Sequence, residues 1–121
     1  MRVLIVGGGG REHALAMALH TSPSVDEIHL APGNAGTLLM NLGTNHSISS
    51  SDTDSLVELA QELDVDLVIV GPEAPLVAGL SNKLRSIGIK SFGPDSFNAM
   101  LEGSKDFAKQ VMLKLNIPTA G

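Results

Sequence analysis

The chain has 121 residues, the length of one domain with its own buried core. Its net charge of −5 argues against broad binding to nucleic acid or to an anionic membrane, and the lack of cysteine excludes disulfide scaffolds, Cys-ligated zinc and thiol catalysis. The apolar runs are too short to span a bilayer and no signal peptide is visible, so we expect a cytoplasmic protein.

Short apolar runs alternate with amphipathic segments along the chain. Runs that end in glycine or a turn are typical of strands buried on both faces of a parallel sheet, and they predict strands at 3–6, 28–31, 67–70 and 89–92, with a further short strand around Ile48. Helical spacing of apolar residues predicts a helix at 11–20 and a second helix that begins at an N-cap, Ser51 or Asp52, and runs to Leu63. It also predicts a helix at 74–87, which Gly88 caps, and two more at about 95–101 and 104–115. This order predicts an α/β fold, an open parallel sheet flanked by helices.

Four glycines, residues 7–10, lie between the first strand and the first helix and are followed by Arg11. Glycine lets a ligand approach the backbone closely, and a helix N-terminus offers unpaired N–H groups and the positive end of a dipole. A phosphate group fits these properties. The alternative is a tight turn in which the glycines serve packing alone.

Two more loops, at residues 32–36 and 71–75, follow predicted strands. The carboxyl ends of parallel strands meet at one edge of a sheet, so both loops are expected beside the glycine loop. Glu73 in the second loop is placed to accept hydrogen bonds from sugar hydroxyls. Alternatively, Glu73 is an acidic residue that stabilises the start of the following helix.

Other common site patterns are not met. Glu12 stands where a dinucleotide fingerprint requires its third glycine, and neither a P-loop nor a nucleophile motif occurs. The four histidines lack metal-ligand spacing, although His13 is close enough to the glycine loop either to approach a ligand or to serve the helix itself. Lys105 by itself is typical of a solvated helix lysine, with phosphate binding as the alternative.

Several segments together resemble the phosphoribosylamine–glycine ligase family, also called glycinamide ribonucleotide synthetases. The resemblance runs through the whole chain, and its motifs are GGGGREHAL at 7–15, APGNAG at 31–36, VGPEAPL at 70–76, FGP at 92–94, LEGSK at 101–105 and IPTA at 117–120. The family pattern GxGGREHAL leaves the place of Gly8 variable.

The resemblance implies an ATP-grasp ligase of purine biosynthesis. Such an enzyme joins glycine to 5-phosphoribosylamine, uses ATP, and releases ADP and phosphate. Residues 1–101 are then a Rossmann-like substrate-binding domain, and residues 102–121 begin the link to an ATP-grasp domain. The ATP-grasp and C-terminal domains are absent from this sequence, so we expect the fragment alone to be inactive.

The resemblance also implies roles for single residues. It implies that the loop of Gly8, Gly9, Gly10 and Arg11 binds the 5′-phosphate of the substrate and that Glu73 binds the ribose hydroxyls. Gly33 and Asn34 would line the same cleft, and Lys105 would bind the ATP phosphates. Ligands for Mg or Mn lie outside this chain, and no cofactor is expected on the fragment. The alternatives are an NAD-binding module, the N-domain of another ATP-grasp purine enzyme, and a noncatalytic interaction domain.

Overall fold

A computed structural model of the chain describes residues 1–23, 25–39, 43–71 and 79–93. Within these ranges strands and helices alternate along most of the chain. In chain order the elements are β1 (Arg2–Gly7), α1 (Gly10–His20), β2 (Glu27–Pro32), α2 (Ala35–Leu39), β3 (Thr44–Asn45), α3 (Thr53–Glu62), β4 (Leu67–Val70), α4 (Leu80–Ser86) and β5 (Lys90–Phe92).

The five described strands form one sheet in the order β3-β2-β1-β4-β5, and all of their pairings are parallel. The predicted α/β class and parallel sheet are confirmed. The chain adds β2 and β3 on one side of β1 and then crosses to add β4 and β5 on the other. A ligand crevice is expected where the order reverses, at the carboxyl ends of β1 and β4.

The core has two layers because successive side chains of a strand point to opposite faces. On β1, Val3 and Ile5 face α1, whereas Leu4 and Val6 face α3 and α4. All four are fully buried. The sheet is therefore covered on both faces, which explains why its strands read as continuous apolar runs.

The helix boundaries follow local signals in the sequence. Asp52 is the N-cap of α3 and accepts a hydrogen bond from the Ser55 N–H at 3.3 Å, which confirms one of the two predicted caps. Gly88 follows α4 with a φ of +82°, in agreement with its predicted place at the helix end. None of the described helices has both the length and the apolar character needed to cross a bilayer.

One predicted strand needs correction, and some predicted helices lie partly or wholly outside the described residues. The strand expected around Ile48 was wrong: the short edge strand β3 is instead Thr44–Asn45, where the backbone pairs with His29 and Leu30 of β2. In the predicted helix 74–87, residues 74–78 lie outside the described residues, and the described part is helical from Leu80 to Ser86. The predicted helices at 95–101 and 104–115 also lie outside the described residues.

Candidate functional site

The glycine loop joins the end of β1 to the start of α1. Gly7 has a φ of +129°, a backbone conformation that side-chain-bearing residues rarely adopt. Gly8, Gly9 and Gly10 are exposed, and so is Arg11 in the first turn of α1. The positive end of the α1 dipole and a guanidinium group therefore lie on the same exposed loop.

The loop after β2 is hydrogen-bonded to the glycine loop. The side-chain amide of Asn34 donates to the Gly8 carbonyl at 2.9 Å and to the Gly9 carbonyl at 3.3 Å, and the Gly33 N–H donates to the Gly7 carbonyl at 3.2 Å. The expectation that these two loops meet at one edge of the sheet is confirmed. Both amide hydrogens of Asn34 are directed at the glycine loop, so Asn34 shapes this loop as well as lying beside it.

Gly33 itself is constrained on two counts. Its φ is +72°, and a Cβ at this position would overlap the side chain of Asn45 on β3. The preceding Ala31–Pro32 peptide bond is cis. The loop after β2 therefore depends on glycine at this position to bring its backbone against Asn45.

Glu12 occupies the inner part of the crevice between β1 and β4. Its side chain is buried, and the carboxylate lies where Cβ atoms at Gly7 and Gly71 would be. Sequence reasoning treated Glu12 only as a missing glycine. The signal for this position was the pair of glycines at the end of β1 and directly after β4, because together they leave room for a side chain from α1.

His13 packs against the other side of the same loop cluster. Its ring atoms Cε1 and Nδ1 lie 2.7 Å from where a Cβ on Gly36 would be. Gly36, the second residue of α2, thus allows α1 to approach this helix closely. This contact favours the helix-packing alternative for His13.

A second polar cluster joins β2 and the segment after β3. Nδ1 of His29 lies 3.0 Å from Nε2 of His46, and Nε2 of His29 lies 3.2 Å from a carboxylate oxygen of Glu27. The carboxylate accepts the Nε2–H of His29, so with neutral rings His29 accepts through Nδ1 from the Nε2–H of His46. Burial lowers the pKa of His46, and so, to a smaller extent, does repulsion from the His29 ring when that ring carries a proton on both nitrogens.

A cavity among the described residues lies at the opposite edge of the sheet. Its volume is about 360 Å³, and its lining comes from the end of α1 and the starts of β2 and β3: Leu19, His20, Val25, Asp26, Glu27, Ile28, His29, Gly43 and Thr44. Parallel sheets of this type bind ligands beyond the carboxyl ends of their strands, and this cavity is at the amino ends. The glycine loop is therefore the better candidate site.

Comparison with known proteins decides the family. The model of the phosphoribosylglycinamide synthetase N domain matches residues 1–102. The chain belongs to this family. It is 50% identical over 120 residues to phosphoribosylamine–glycine ligase of Haemophilus influenzae, and 51% and 49% identical over the same length to the ligases of Vibrio cholerae and Escherichia coli K12. The match covers 99% of this chain but 28% of each relative.

In this chain the glycine loop and the APGNAG loop are in direct contact. Two other predicted site residues, Glu73 and Lys105, lie outside the described residues. Gly71, two positions before Glu73, directly follows β4 and lies beside Glu12, and its N–H donates to the Val6 carbonyl at 2.9 Å. The chain therefore enters the VGPEAPL segment at the same crevice.

The described part of this N domain contains no group of three or more histidine, aspartate or glutamate side chains placed to hold a metal ion. The described residues therefore offer no ready-made cluster of side-chain ligands for Mg or Mn. That the four histidines do not form a metal site stays a prediction from their spacing.

Proposed function

We propose that this chain is the substrate-binding N domain of a phosphoribosylamine–glycine ligase and that its glycine loop holds the 5′-phosphate of 5-phosphoribosylamine. Family membership supports the reaction class, and the observation that carries the site is the contact between Asn34 and the Gly8 and Gly9 carbonyls. This contact holds the loop with its glycines exposed beside Arg11.

The chemistry of the whole ligase divides into activation and capture. A carboxylate oxygen of glycine attacks the γ-phosphorus of ATP and ADP leaves, which gives glycyl phosphate. The amine nitrogen of 5-phosphoribosylamine then attacks the carbonyl carbon, inorganic phosphate leaves, and the nitrogen loses a proton. The amide product is glycinamide ribonucleotide. Both activation and metal binding belong to parts of the enzyme beyond the described residues.

The role of this domain is to position the amine. Backbone N–H groups at the start of α1 and the guanidinium of Arg11 bind the phosphate, and Glu73 accepts hydrogen bonds from the ribose hydroxyls. Anchoring both ends of the ribosyl group lowers the entropy cost of the capture step. Lys105 would bind ATP phosphates at the start of the link to the ATP-grasp domain.

Kinetics of the protein at its natural length test this assignment. Arg11→Ala and Glu73→Gln should each weaken the use of 5-phosphoribosylamine by about 1–3 kcal/mol, the cost of a lost hydrogen bond to a charged group. Arg85→Ala and Glu58→Gln are matched controls, since both residues are exposed on helices outside the site. Unchanged kcat/KM for 5-phosphoribosylamine in both site variants would refute the roles. A fragment of residues 1–121 should show no ligase turnover.

A further inference from the structure

A chain of hydrogen bonds runs from the edge strand β3 to the glycine loop. The side-chain amide of Asn45 donates to the backbone carbonyl of Asn34 at 3.0 Å, and the side chain of Asn34 in turn donates to the Gly8 and Gly9 carbonyls. Asn45 lies far from Gly8 and Gly9 in sequence. The sheet brings it next to Asn34 through the pairing of Leu30 with Asn45.

Thr37 fixes the orientation of Asn34. Its side chain is fully buried, and its backbone N–H donates to the Asn34 side-chain oxygen at 2.9 Å. Its hydroxyl accepts the Asn34 N–H at 3.0 Å and has its own hydrogen for either the Asn34 carbonyl at 2.9 Å or the Asn45 side-chain oxygen at 3.1 Å. If the Asn34 amide were flipped, its NH₂ group would face the Thr37 N–H, so that donor would meet donor. Its oxygen would then face the two glycine carbonyls, so that acceptor would meet acceptor. The nitrogen must therefore face the glycine loop.

This orientation bears on where the loop N–H groups point: Asn34 donates to the Gly8 carbonyl, and it shares the Gly9 carbonyl with the His13 N–H, which donates to that oxygen at 3.1 Å. A trans peptide unit is planar, so its C=O and its N–H point in opposite directions. When Asn34 holds the Gly8 and Gly9 carbonyls, the N–H groups of Gly9 and Gly10 in the same peptide units point away from Asn34. Gly9 and Gly10 are both exposed, so these peptide units lie at the surface of the loop.

We propose that Thr37 and Asn45 are positioning residues for the phosphate site. They hold Asn34, and Asn34 holds the Gly8 carbonyl and helps the His13 N–H to hold the Gly9 carbonyl. The opposite ends of those peptide units present N–H donors to a phosphomonoester. This inference rests on the proposed function, because it requires that a phosphate bind at the glycine loop. Neither Thr37 nor Asn45 needs to touch the ligand.

The test uses Thr37→Val and Asn45→Asp in the protein at its natural length. Thr37→Val keeps the shape of the side chain and removes the hydroxyl, while Asn45→Asp places an oxygen against the Asn34 carbonyl. We expect the KM for 5-phosphoribosylamine to rise on the order of fivefold to thirtyfold, the equivalent of one or two lost hydrogen bonds, with the KM for ATP and for glycine unchanged. Thr37→Ser restores the hydroxyl and should restore the KM. Thr44→Val is the matched control, since Thr44 is the exposed neighbour of Asn45 on β3.

A titration with inorganic phosphate separates the two proposals. Amide NMR signals of Gly9, Gly10 and Arg11 should shift with phosphate in the unsubstituted protein and should need at least fivefold more phosphate in Asn45→Asp. An absence of shifts in the unsubstituted protein would refute the phosphate site itself. Normal shifts there, with equal phosphate affinity in Thr37→Val and Asn45→Asp, would refute the positioning roles alone. If Thr37→Val does not fold, the phosphate affinity of Asn45→Asp still decides between these results.

Discussion

The carboxylate of Glu12 occupies the space that a Cβ at Gly71 would require. Glu12 comes from the first turn of α1, and Gly71 directly follows β4. The contact links the glycine loop to the segment that leads to Glu73. It also means that a protein side chain fills the space between Gly7 at the end of β1 and Gly71 after β4.

This contact predicts the effect of Gly71→Ala. The new methyl group must displace Glu12, which cannot move toward β1 because Gly7 lies against its other side. We expect a loss of about 1–3 kcal/mol in the free energy of unfolding, measured by urea denaturation. The loss should be smaller when Glu12→Ala is already present, since the overlap is then gone.

Gly10→Ala is the control for that series. A Cβ at Gly10 meets no atom within 4 Å, and Gly10 is the first residue of α1. Alanine is a better helix former than glycine, so stability should stay the same or rise slightly.

The double variant decides whether Glu12 and Gly71 pack against each other. If Gly71→Ala and Glu12→Ala change the free energy of unfolding in a strictly additive way, the packing described here is contradicted.

The histidine pair predicts a pH dependence of stability. The pKa of His46 is lowered from its ordinary 6.5 by burial and then by the charge on His29, so the unfolded chain takes up this proton more readily than the folded one. The stability that depends on neutral His46 is therefore fully present above pH 6.5 and is lost as the pH falls from there through the lowered pKa.

Urea unfolding between pH 8 and pH 5.5 checks this expectation. His46→Gln should flatten the dependence in that window, because glutamine does not titrate. His20→Gln is the matched control, since His20 is exposed at the end of α1 and is not part of the pair. A slope that is equally steep in His46→Gln and in the unsubstituted protein would contradict the assignment.

The central position of β1 predicts a large cost for Leu4→Ala. Leu4 is fully buried in the layer between the sheet and α3 and α4. Truncation should lower the free energy of unfolding by about 2–5 kcal/mol. Leu39→Ala, at a leucine that is 83% exposed, should change it by no more than about 0.5 kcal/mol. Similar costs at the two positions would mean that β1 does not lie between two covered faces.

The position of Glu12 also predicts that NAD does not bind. A dinucleotide fold needs glycine there for close packing and an acidic residue at the end of β2, where this chain has Pro32. Calorimetric titration with NAD should give no saturable heat. Stoichiometric binding would favour the dinucleotide alternative over the proposed function.

Much of the fold could be predicted from the sequence because its signals are local. The strands at 3–6 and 67–70 are uninterrupted apolar runs, and the start of α3 has a capping aspartate. The edge strand was misplaced because Thr44 and Asn45 have no apolar alternation. Their strand geometry comes from pairing with β2, which is a tertiary effect.

The site was predictable in outline and not in its contacts. Glycine loops and strand ends indicated which segments meet, and the family resemblance supplied the ligand. No local pattern indicates that Asn45 reaches Asn34, that Glu12 lies between two glycines, or that His29 pairs with His46. These contacts join residues from different strands and loops, so they depend on the register of the sheet and not on neighbouring sequence.

The most direct test of the central claim compares ribose 5-phosphate with ribose as ligands of the natural-length protein, by calorimetry. The account predicts saturable binding of ribose 5-phosphate that weakens with salt and weakens strongly in Arg11→Ala, with far weaker binding of ribose. Equal affinity for the two ligands, or binding of ribose 5-phosphate that does not depend on Arg11, would contradict a phosphate site at the glycine loop.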